Sequence, residues 1–421
     1  MSPASFCRST AISSGRREIM EGKPDGAAAE FRTGWLLLVA AMLGCGLGVS
    51  SLPLYTAGVF FPHLESGFGW TRAELSGAVL AFTLALAAAS PIVGRVVDRV
   101  GVRRAAAFSI LAASAIYCLL ALFLSGLFLF YAGHILIAAL GAAAAPVAYT
   151  RIVTGHFAKA RGLALGITLL GPSLAATLGP PAVTAAIAAG GWQGGYFLLA
   201  ILVAAMLPFL LLLRDDRGAV PAAARPAAAD GPVAGSVHRS VFPLMLTAFG
   251  LFSLGIGGLI VHLVPMLTDA GMSASAAAAT ASLIGLAGIA GRLAGGAAAD
   301  RFFAPHVLFA VACAASLGCL SLAAFGVAFA GFAAVAIGFS LGAEADLMGY
   351  LVSRYYAKSD YGRIFGWLYA VFIAGVGLSP LLLGFAFDQF GDYGFALWSC
   401  AGLLILAAML FIRLPPFPRD S

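Results

Sequence analysis

Three charged residues lie inside long apolar stretches of this 421-residue chain: Arg292, Glu344 and Asp346. The guanidinium of Arg292 stays charged, and its planar fork of N–H donors can hold a carboxylate through two hydrogen bonds. Glu344 and Asp346 can accept from that fork or take up a proton. Because charges inside apolar helices are costly and normally face a partner or a water-filled cavity, these residues predict an anion site or a buried ion pair.

Small residues share the helical face of Arg292. At helical spacing this face holds Gly285, Gly288, Gly295 or Gly296, and Ala299. Such a face leaves room beside the guanidinium, and our first interpretation is that Arg292 contacts a substrate. The same pattern also fits close packing of helices or a structural ion pair with the helix that carries the two acids, and these remain the alternatives.

Glu344 and Asp346 are two residues apart, so a helix points them toward nearly opposite faces. The Asp346 face is small and polar, which makes Asp346 the better candidate for lining a cavity or pairing with Arg292. The Glu344 face is mostly apolar, so we expect Glu344 to be the more desolvated and the more easily protonated acid. We therefore assign proton coupling to Glu344 and Asp346. The alternative is one ion pair with Arg292 plus one neutral structural acid.

The elements that position these charges must be membrane-spanning helices. The sequence is 61% hydrophobic and 10% charged, with a mean hydropathy of +0.99, and a soluble domain of this size needs a more polar exterior. One crossing takes about 20 apolar residues. Single crossings fit 33–64, 75–94, 240–268, 270–299, 364–387 and 393–412. Double crossings fit 105–150, 162–213 and 302–352, with breaks at Ser125-Gly126, within Gly190 to Gly195, and near Gly331.

The basic residues predict how these twelve helices are oriented. If both termini are cytoplasmic, the cytoplasmic segments hold 22 of the 24 Lys and Arg residues, Arg72 lies outside, and Arg292 lies within a span. This distribution follows the positive-inside rule. The net charge of +6 is therefore explained by topology, and we do not expect a nucleic-acid partner.

The two halves of the chain repeat the same short patterns about 200 residues apart. Gly94-x-x-x-Asp98-Arg99 recurs as Gly296-x-x-x-Asp300-Arg301, and Gly162 and Gly166 recur as Gly362 and Gly366. Several matches in the same order indicate a duplicated unit. The fold class that follows is an all-α membrane protein with two pseudo-symmetric six-helix bundles. Its expected parts are a disordered cytoplasmic tail (1–31), the first bundle (32–213), a cytoplasmic linker (214–240), the second bundle (241–413) and a cytoplasmic C-terminal tail (414–421).

The loop after the second predicted span carries a family pattern. Its residues run Gly94-Arg95-Val96-Val97-Asp98-Arg99-Val100-Gly101-Val102-Arg103-Arg104. It resembles the signature loop between helices 2 and 3 of the major facilitator superfamily. The resemblance implies gating roles for Gly94, Asp98 and Arg99, and for their repeats Asp300 and Arg301, in closing the cytoplasmic side. Membrane anchoring alone suffices for Arg103 and Arg104 but does not explain Asp98.

Three further segments resemble the bacterial branch of the monocarboxylate transporter group, which includes oxalate–formate exchangers. They are Tyr55-Thr-Ala-Gly-Val-Phe-Phe-Pro62 with Phe68-Gly-Trp70-Thr71-Arg72, then Arg161-Gly-Leu-Ala-Leu-Gly166, and Ile289-Ala-Gly-Arg292. An arginine of helix 8 binds the substrate carboxylate in that group, which implies this role for Arg292. The chain differs from the animal members in that helix 1 lacks their lysine and Gly288 stands where they carry an aspartate.

The remaining candidates for substrate contact are Tyr55, Tyr149 and His262. A lone histidine in a membrane helix also fits a plain helix–helix contact, and His262 stays open between the two roles. The cysteines show no metal-ligand spacing, and no nucleotide-binding loop or nucleophile triad is present. We expect neither a metal, a cofactor nor an enzyme activity.

These observations predict a secondary active transporter, working as a monomer in the inner (plasma) membrane, that moves a small organic monoanion with a proton by alternating access. A monocarboxylate is the expected anion. The first alternative is a proton-driven efflux antiporter for drugs or metabolites, because Gly171-Pro172 partly resembles an antiporter motif whose closing glycine pair is here Ala175-Ala176. The second is a membrane sensor, for whose output domain neither the tail nor the linker has room.

Overall fold

A computed structural model describes residues 27–157, 160–212, 237–357 and 360–417. Within these ranges the chain is helical, with no β-strand. Most of the predicted N-terminal tail and of the predicted linker lies outside the described residues, as does the end of the C-terminal tail. A helix already begins at Val237, inside the range assigned to the linker.

Eight α-helices make up the first half. They are α1 Ala27–Leu47, α2 Leu52–Phe68, α3 Arg72–Val100, α4 Val102–Phe123, α5 Leu127–Gly141, α6 Pro146–His156, α7 Arg161–Thr168 and α8 Leu170–Ala204. Six α-helices make up the second half. They are α9 Val237–Asp269, α10 Ala274–Ala299, α11 Ala304–Phe325, α12 Ala330–Tyr355, α13 Tyr361–Phe390 and α14 Gly394–Ile412. Short 3-10 helices occur at Ala142–Ala144, Pro208–Leu212 and Gly326–Phe329.

The described residues contain ten helical segments long and apolar enough to cross a membrane. Two of them, Arg161–Leu212 and Ala304–Tyr355, have 52 residues each. At about 1.5 Å per residue such a segment is roughly 78 Å long, more than twice the ~30 Å hydrocarbon core. Both segments are interrupted near their middle, and counting each half as one crossing gives the predicted twelve.

Glycines with positive φ interrupt the two long segments. Gly191 has φ 64° and ψ −173° inside α8, and Gly326 has φ 60° and ψ −145° after α11. Such angles are open to glycine and strained for other residues. The first break lies where the sequence predicted it. The second comes earlier than the predicted position near Gly331, because Gly326 and not Gly331 takes the left-handed conformation.

Helix α1 begins earlier than predicted, at Ala27, so the predicted tail of residues 1–31 ends in helix and not in disordered chain. Glu30 is buried, and its carboxylate accepts a hydrogen bond from the Ala160 backbone N–H at 3.1 Å. The rings of Phe31 and Phe157 also pack together, with their centroids 5.3 Å apart. These contacts give the last residues of the predicted tail an ordered position.

The beginning of the predicted C-terminal tail packs against the second half. The Tyr355 hydroxyl donates to the Pro415 carbonyl at 2.5 Å, and the ring of Phe417 lies 5.0 Å from that of Tyr355. Residues 414–417 therefore continue the fold beyond α14.

The two halves meet most closely at one end, which we call the Arg72 end. A Cβ added at Gly58 would lie 1.7 Å from the Val261 carbonyl oxygen, and one at Gly384 would lie 2.6 Å from that of Arg72. Only glycine permits backbones of opposite halves to approach this closely.

The other end, which we call the basic end, carries exposed arginines at Arg95, Arg99, Arg103, Arg104, Arg161, Arg301, Arg354 and Arg363. The repeated glycines near it meet open space. A Cβ at Gly162, Gly166, Gly362 or Gly366 would find no atom within 4 Å. The halves are thus in backbone contact at the Arg72 end, whereas the repeated glycines near the basic end are not covered by other described residues.

Candidate functional site

An ion pair joins two of the predicted charges across α10 and α12. Nη1 of Arg292 donates to Oδ1 of Asp346 at 2.9 Å. The side chain of Arg292 is 16% exposed and that of Asp346 is 35% exposed. The pair therefore sits at the border of a solvent-accessible space.

Glycines bring α10 and α12 into backbone contact around this pair. A Cβ at Gly291 would lie 2.0 Å from the Phe339 carbonyl oxygen, and one at Gly342 would lie 2.0 Å from that of Gly288.

On the face that we interpreted as room beside Arg292, Gly295 is closed by Ala343 of α12, and Gly285 is closed by α8 of the first half. A Cβ at Gly296 would find no atom within 4 Å. Helix packing, the alternative for these glycines, is what the structure shows for Gly285 and Gly295.

Arg292 keeps hydrogen-bonding capacity that the described residues do not use. Its Nε is buried and has no partner among them, and its one described acceptor is Asp346. A guanidinium has five N–H donors, so several remain for a ligand. An unpaired buried donor costs free energy. An anion that accepts a hydrogen bond from it would remove that cost, which favours anion binding beside Arg292.

Glu344 is fully buried in α12, and neither carboxylate oxygen has a partner among the described residues. As predicted from the sequence, it is the more buried of the two acids. Glu344 lies within electrostatic range of Asp346 and Arg292. An ionised carboxylate without partners in an apolar environment is strongly disfavoured, which makes this position suited to a neutral acid.

Two tyrosines complete what we call the Arg292 cluster, consisting of Tyr55, Arg292, Glu344, Asp346 and Tyr369. Tyr55 of α2 lies within electrostatic range of Arg292 and of Tyr369. Tyr369 of α13 lies within range of Glu344. The cluster thus draws on both halves of the chain. Tyr369 is not among the residues predicted from the sequence, although helical spacing from Tyr361 and Phe365 puts it on one aromatic face.

Tyr149 lies elsewhere in the first half. It is fully buried, and a Cβ at Gly44 would lie 2.4 Å from its ring. Its hydroxyl has no partner among the described residues. Gly44 belongs to α1, and the role of Tyr149 in substrate contact stays a prediction.

A second arginine forms a dense network at the Arg72 end. Nε and Nη2 of Arg72 donate to the two oxygens of Glu65 at 2.6 and 3.2 Å. Nη1 donates to Oδ2 of Asp269 and Nη2 to Oδ1 of Asp269, the latter at 3.0 Å. Nη1 also donates to the Tyr393 hydroxyl at 2.6 Å. Glu65 belongs to the first half and Asp269 to the second, so Arg72 ties the halves together.

The start of α3 is fixed by the same region. Asp388 of α13 accepts hydrogen bonds from the backbone N–H groups of Arg72 and Ala73 at 3.1 and 2.8 Å. A carboxylate at a helix N-terminus satisfies free donors and complements the helix dipole. We call Glu65, Arg72, Asp269, Asp388 and Tyr393, together with His262, the Arg72 cluster.

His262 belongs to this network and not to the Arg292 cluster. Its Nδ1 lies 2.8 Å from the Tyr393 hydroxyl, and its Nε2 lies 2.9 Å from the Pro380 carbonyl and 3.0 Å from the Ser76 hydroxyl. Since a carbonyl can only accept, Nε2 carries a hydrogen. Nδ1 then accepts from Tyr393, whose oxygen accepts from Arg72. The neutral ring is thus fully hydrogen-bonded.

From the sequence, Arg72 is predicted only as the basic residue on the outside, with no role of its own. That exceptional position was the signal available. Its partners Asp269 and Asp388 are ordinary helix-end acids in the sequence, and nothing in their spacing marks them.

The residues assigned to gating lie at the basic end. Gly94 and Asp98 fall within α3, but their side-chain placement lies outside what the structure describes. Arg99, Asp300 and Arg301 are exposed and form no ion pair with another described residue. Their gating role stays a prediction.

Comparison with known proteins gives the wider context of this site. The family model described as Major Facilitator Superfamily matches residues 43–348. Human monocarboxylate transporter 11 is 28% identical over 414 residues, an alignment that covers 94% of this chain and 84% of the relative. Mouse monocarboxylate transporter 11 is 26% identical over 418 residues, covering 94% of this chain and 89% of the relative.

Solved structures with the same fold include two transporters. A D-xylose–proton symporter has a TM-score of 0.69 at 15% identity, covering 93% of this chain and 99% of that one. A bacterial homologue of the human lysosomal transporter Spinster, in an inward-facing and occupied conformation, has a TM-score of 0.66 at 16% identity, covering 91% and 96%. At these identities the likeness concerns the fold alone.

Proposed function

The chain belongs to the Major Facilitator Superfamily, and on that premise we propose that it carries a small organic monoanion, a monocarboxylate, across the membrane together with a proton. Transporters of this fold bind substrate between their two halves near the bilayer midplane. The Arg292 cluster draws residues from both halves and borders an accessible space. It is therefore the place where we assign the substrate.

The observation that carries the proposal is the incomplete pairing of Arg292. One described acceptor, Asp346, meets one of its donors, while the buried Nε has none among the described residues. A carboxylate would supply two acceptors to the fork. The similarity to the monocarboxylate transporters supports the same class of substrate.

Glu344 is our candidate for the proton carrier. It is buried without a hydrogen-bond partner and lies within electrostatic range of Arg292. The binding of an anion at Arg292 would reduce the positive field at Glu344 and so favour the protonated acid. One anion moving with one proton is electroneutral, so a pH gradient alone would drive accumulation.

We assign the basic end to the cytoplasm because of the positive-inside rule, which puts both termini inside, in the inner membrane. With that assignment the Arg72 cluster closes the outer side, and the open space faces the cytoplasm. Gly94, Asp98, Arg99, Asp300 and Arg301 would then close the inner side in the alternate state. We propose that a single chain, a monomer, carries out the cycle.

The test is uptake of a panel of radiolabelled monocarboxylates into proteoliposomes that contain the purified full chain. Uptake is measured with and without an inwardly directed proton gradient, that is, with the outside more acidic than the lumen. We expect at least one monocarboxylate to accumulate when only the pH gradient is imposed, and empty liposomes serve as the control. Transport restricted to compounds without an acidic group would overturn the proposal. Uptake of such compounds against the proton flow would favour the antiporter instead.

A further inference from the structure

Four aromatic side chains form a continuous ladder along α13. Their ring centroids follow one another at 5.7 Å from Tyr361 to Phe365, 5.9 Å from Phe365 to Tyr369, and 6.4 Å from Tyr369 to Phe372. The corresponding angles between ring planes are 5°, 11° and 26°. Spacing of three or four residues puts all four on one helical face, and we call them the aromatic ladder.

The ladder leads from the basic end toward Arg292. The part of the ladder nearest the basic end lies against α12. A Cβ at Gly349 of α12 would lie 3.1 Å from the Tyr361 hydroxyl and 3.8 Å from the Phe365 ring. Gly349 is three residues beyond Asp346. The eight helical steps from Tyr361 to Tyr369 span about 12 Å along the helix.

The exposed surface of the ladder faces the space between the halves. Tyr369 is 46% exposed, yet it lies within electrostatic range of the fully buried Glu344 and of Tyr55 in the opposite half. Because Glu344 lies on α12 and Tyr55 in the first half, this places the Tyr369 side chain on the side of α13 that faces the Arg292 cluster. On the same helix Trp367, two residues from Phe365, points to the opposite face and is 60% exposed.

A row of near-parallel rings near an arginine, exposed at Tyr361 and Tyr369 and partly exposed at Phe365, has a clear chemical use. The rings offer a flat apolar surface that favours aromatic groups, and Arg292 offers donors for a carboxylate. A carboxylate with only one or two further carbons would leave the ladder in contact with water. A longer anion, with an acid at one end and an apolar group at the other, would pair with Arg292 and also cover the rings.

We propose that the substrate is a monocarboxylate bearing an aromatic or similarly flat apolar group, whose acid binds Arg292 while its ring lies on Phe365 and Tyr369. This inference rests on the proposed function and names the substrate within it. The ladder then acts as a specificity element, and Arg292 provides the part of the affinity that all monocarboxylates share.

The test compares pyruvate with phenylpyruvate, which share the 2-oxo acid and differ by the phenyl ring. Binding to the purified full chain and uptake into proteoliposomes are measured for both. We expect phenylpyruvate to bind about tenfold more tightly. Phe365→Leu keeps apolar volume but removes a ring, and it should weaken phenylpyruvate about fivefold to tenfold while pyruvate changes less than twofold. Tyr369→Leu, which alters the Arg292 cluster itself, should weaken phenylpyruvate by a larger factor than pyruvate.

Two variants guard against general loss of structure. Tyr369→Phe retains the ring and should keep the preference for phenylpyruvate. Trp367→Leu removes a ring from the opposite face of α13 and should alter neither ligand. Equal affinity for the two acids, an equal loss of both in the Phe365→Leu and Tyr369→Leu variants, or the same selective loss in Trp367→Leu would overturn the inference.

A further probe, phenethylamine, separates this inference from the proposed function. The amine binding as tightly as phenylpyruvate, with no change of either affinity in Arg292→Lys, would show that the carboxylate function is wrong. If Phe365→Leu and Tyr369→Leu then weaken the binding of both compounds, the contact between the ligand and the rings is still supported. If pyruvate is transported and phenylpyruvate gains nothing from its ring, the function stands and the role of the ladder is wrong.

Discussion

Arg72 and Arg292 have very different surroundings. Arg72 donates to two carboxylates and a tyrosine hydroxyl, and its guanidinium lies 3.9 Å from the centre of the Phe387 ring. Arg292 has one described acceptor, Asp346, and a buried Nε without a partner among the described residues. A saturated guanidinium has nothing left to offer a ligand, whereas a partly paired one does.

The titratable groups beside the two arginines differ in the same way. His262, next to the Arg72 network, has acceptors or donors for both ring nitrogens. Glu344, near Arg292, has none for either oxygen among the described residues. Complete satisfaction fits a group that holds the halves together. An unsatisfied group fits one whose partners change during a transport cycle.

The largest effect should come from Arg292→Lys in proteoliposome uptake. A lysine keeps the positive charge but not the two-pronged geometry, and we expect kcat/KM for the preferred carboxylate to fall about 30- to 150-fold, as for loss of a charged hydrogen bond worth about 2–3 kcal/mol. Insertion and detergent stability should remain close to those of the unchanged protein. Uptake equal to that of the unchanged protein would remove Arg292 from the site.

Glu344→Gln should separate two transport modes. The amide imitates the protonated acid, so uphill accumulation, which an electroneutral one-proton symporter drives about tenfold per pH unit, should be lost. Counterflow exchange needs no net proton release and should persist. Accumulation by this variant under a pH gradient alone would show that the proton travels through another group.

Two further variants test whether the proton is carried by Glu344 and not by another titratable group. Asp346→Asn should impair both accumulation and counterflow, because Asp346 holds Arg292 in place. His262→Gln should still accumulate substrate with the pH gradient, since His262 lies in the Arg72 cluster. Loss of accumulation in His262→Gln with counterflow intact would make the histidine the proton carrier.

Arg72→Lys should affect stability more than transport. Lysine cannot bridge Glu65, Asp269 and Tyr393 together, so we expect the free energy of unfolding in detergent to fall by about 1–3 kcal/mol. Substrate affinity should change less than about threefold. A selective loss of substrate affinity with unchanged stability would contradict the distinction between the two arginines.

Labelling of introduced cysteines shows which side of the membrane the Arg72 end faces. We expect no change in transport activity from these substitutions. Ser66→Cys lies exposed at the Arg72 end and Ala357→Cys exposed at the basic end. In intact cells an impermeant thiol reagent should label position 66, and it should label position 357 only after lysis. The reverse pattern would show that the open space faces outward. Gly391, also at the Arg72 end, is a poorer position because its φ of 76° strains any side chain.

The amino-acid sequence by itself determined the helices and their approximate ends. Apolar length and charge-free stretches depend on local composition, and lipid requires every span to satisfy its backbone internally. For the same reason it identified Arg292, Glu344 and Asp346, because a charge in an apolar helix is conspicuous in one dimension. It also predicted that Glu344 is the more buried acid, since two residues of spacing fix opposite helical faces.

What only the tertiary structure decided is which groups these charges meet. Asp269 and Asp388 are far from Arg72 along the chain and join it through contacts between the halves. His262 was a candidate substrate contact in the sequence, and packing places it beside Tyr393 instead. The glycines near Arg292 fit both a cavity and a helix contact by spacing alone. Hydrogen-bond saturation is a property of three-dimensional neighbours, and that property distinguishes Arg72 from Arg292.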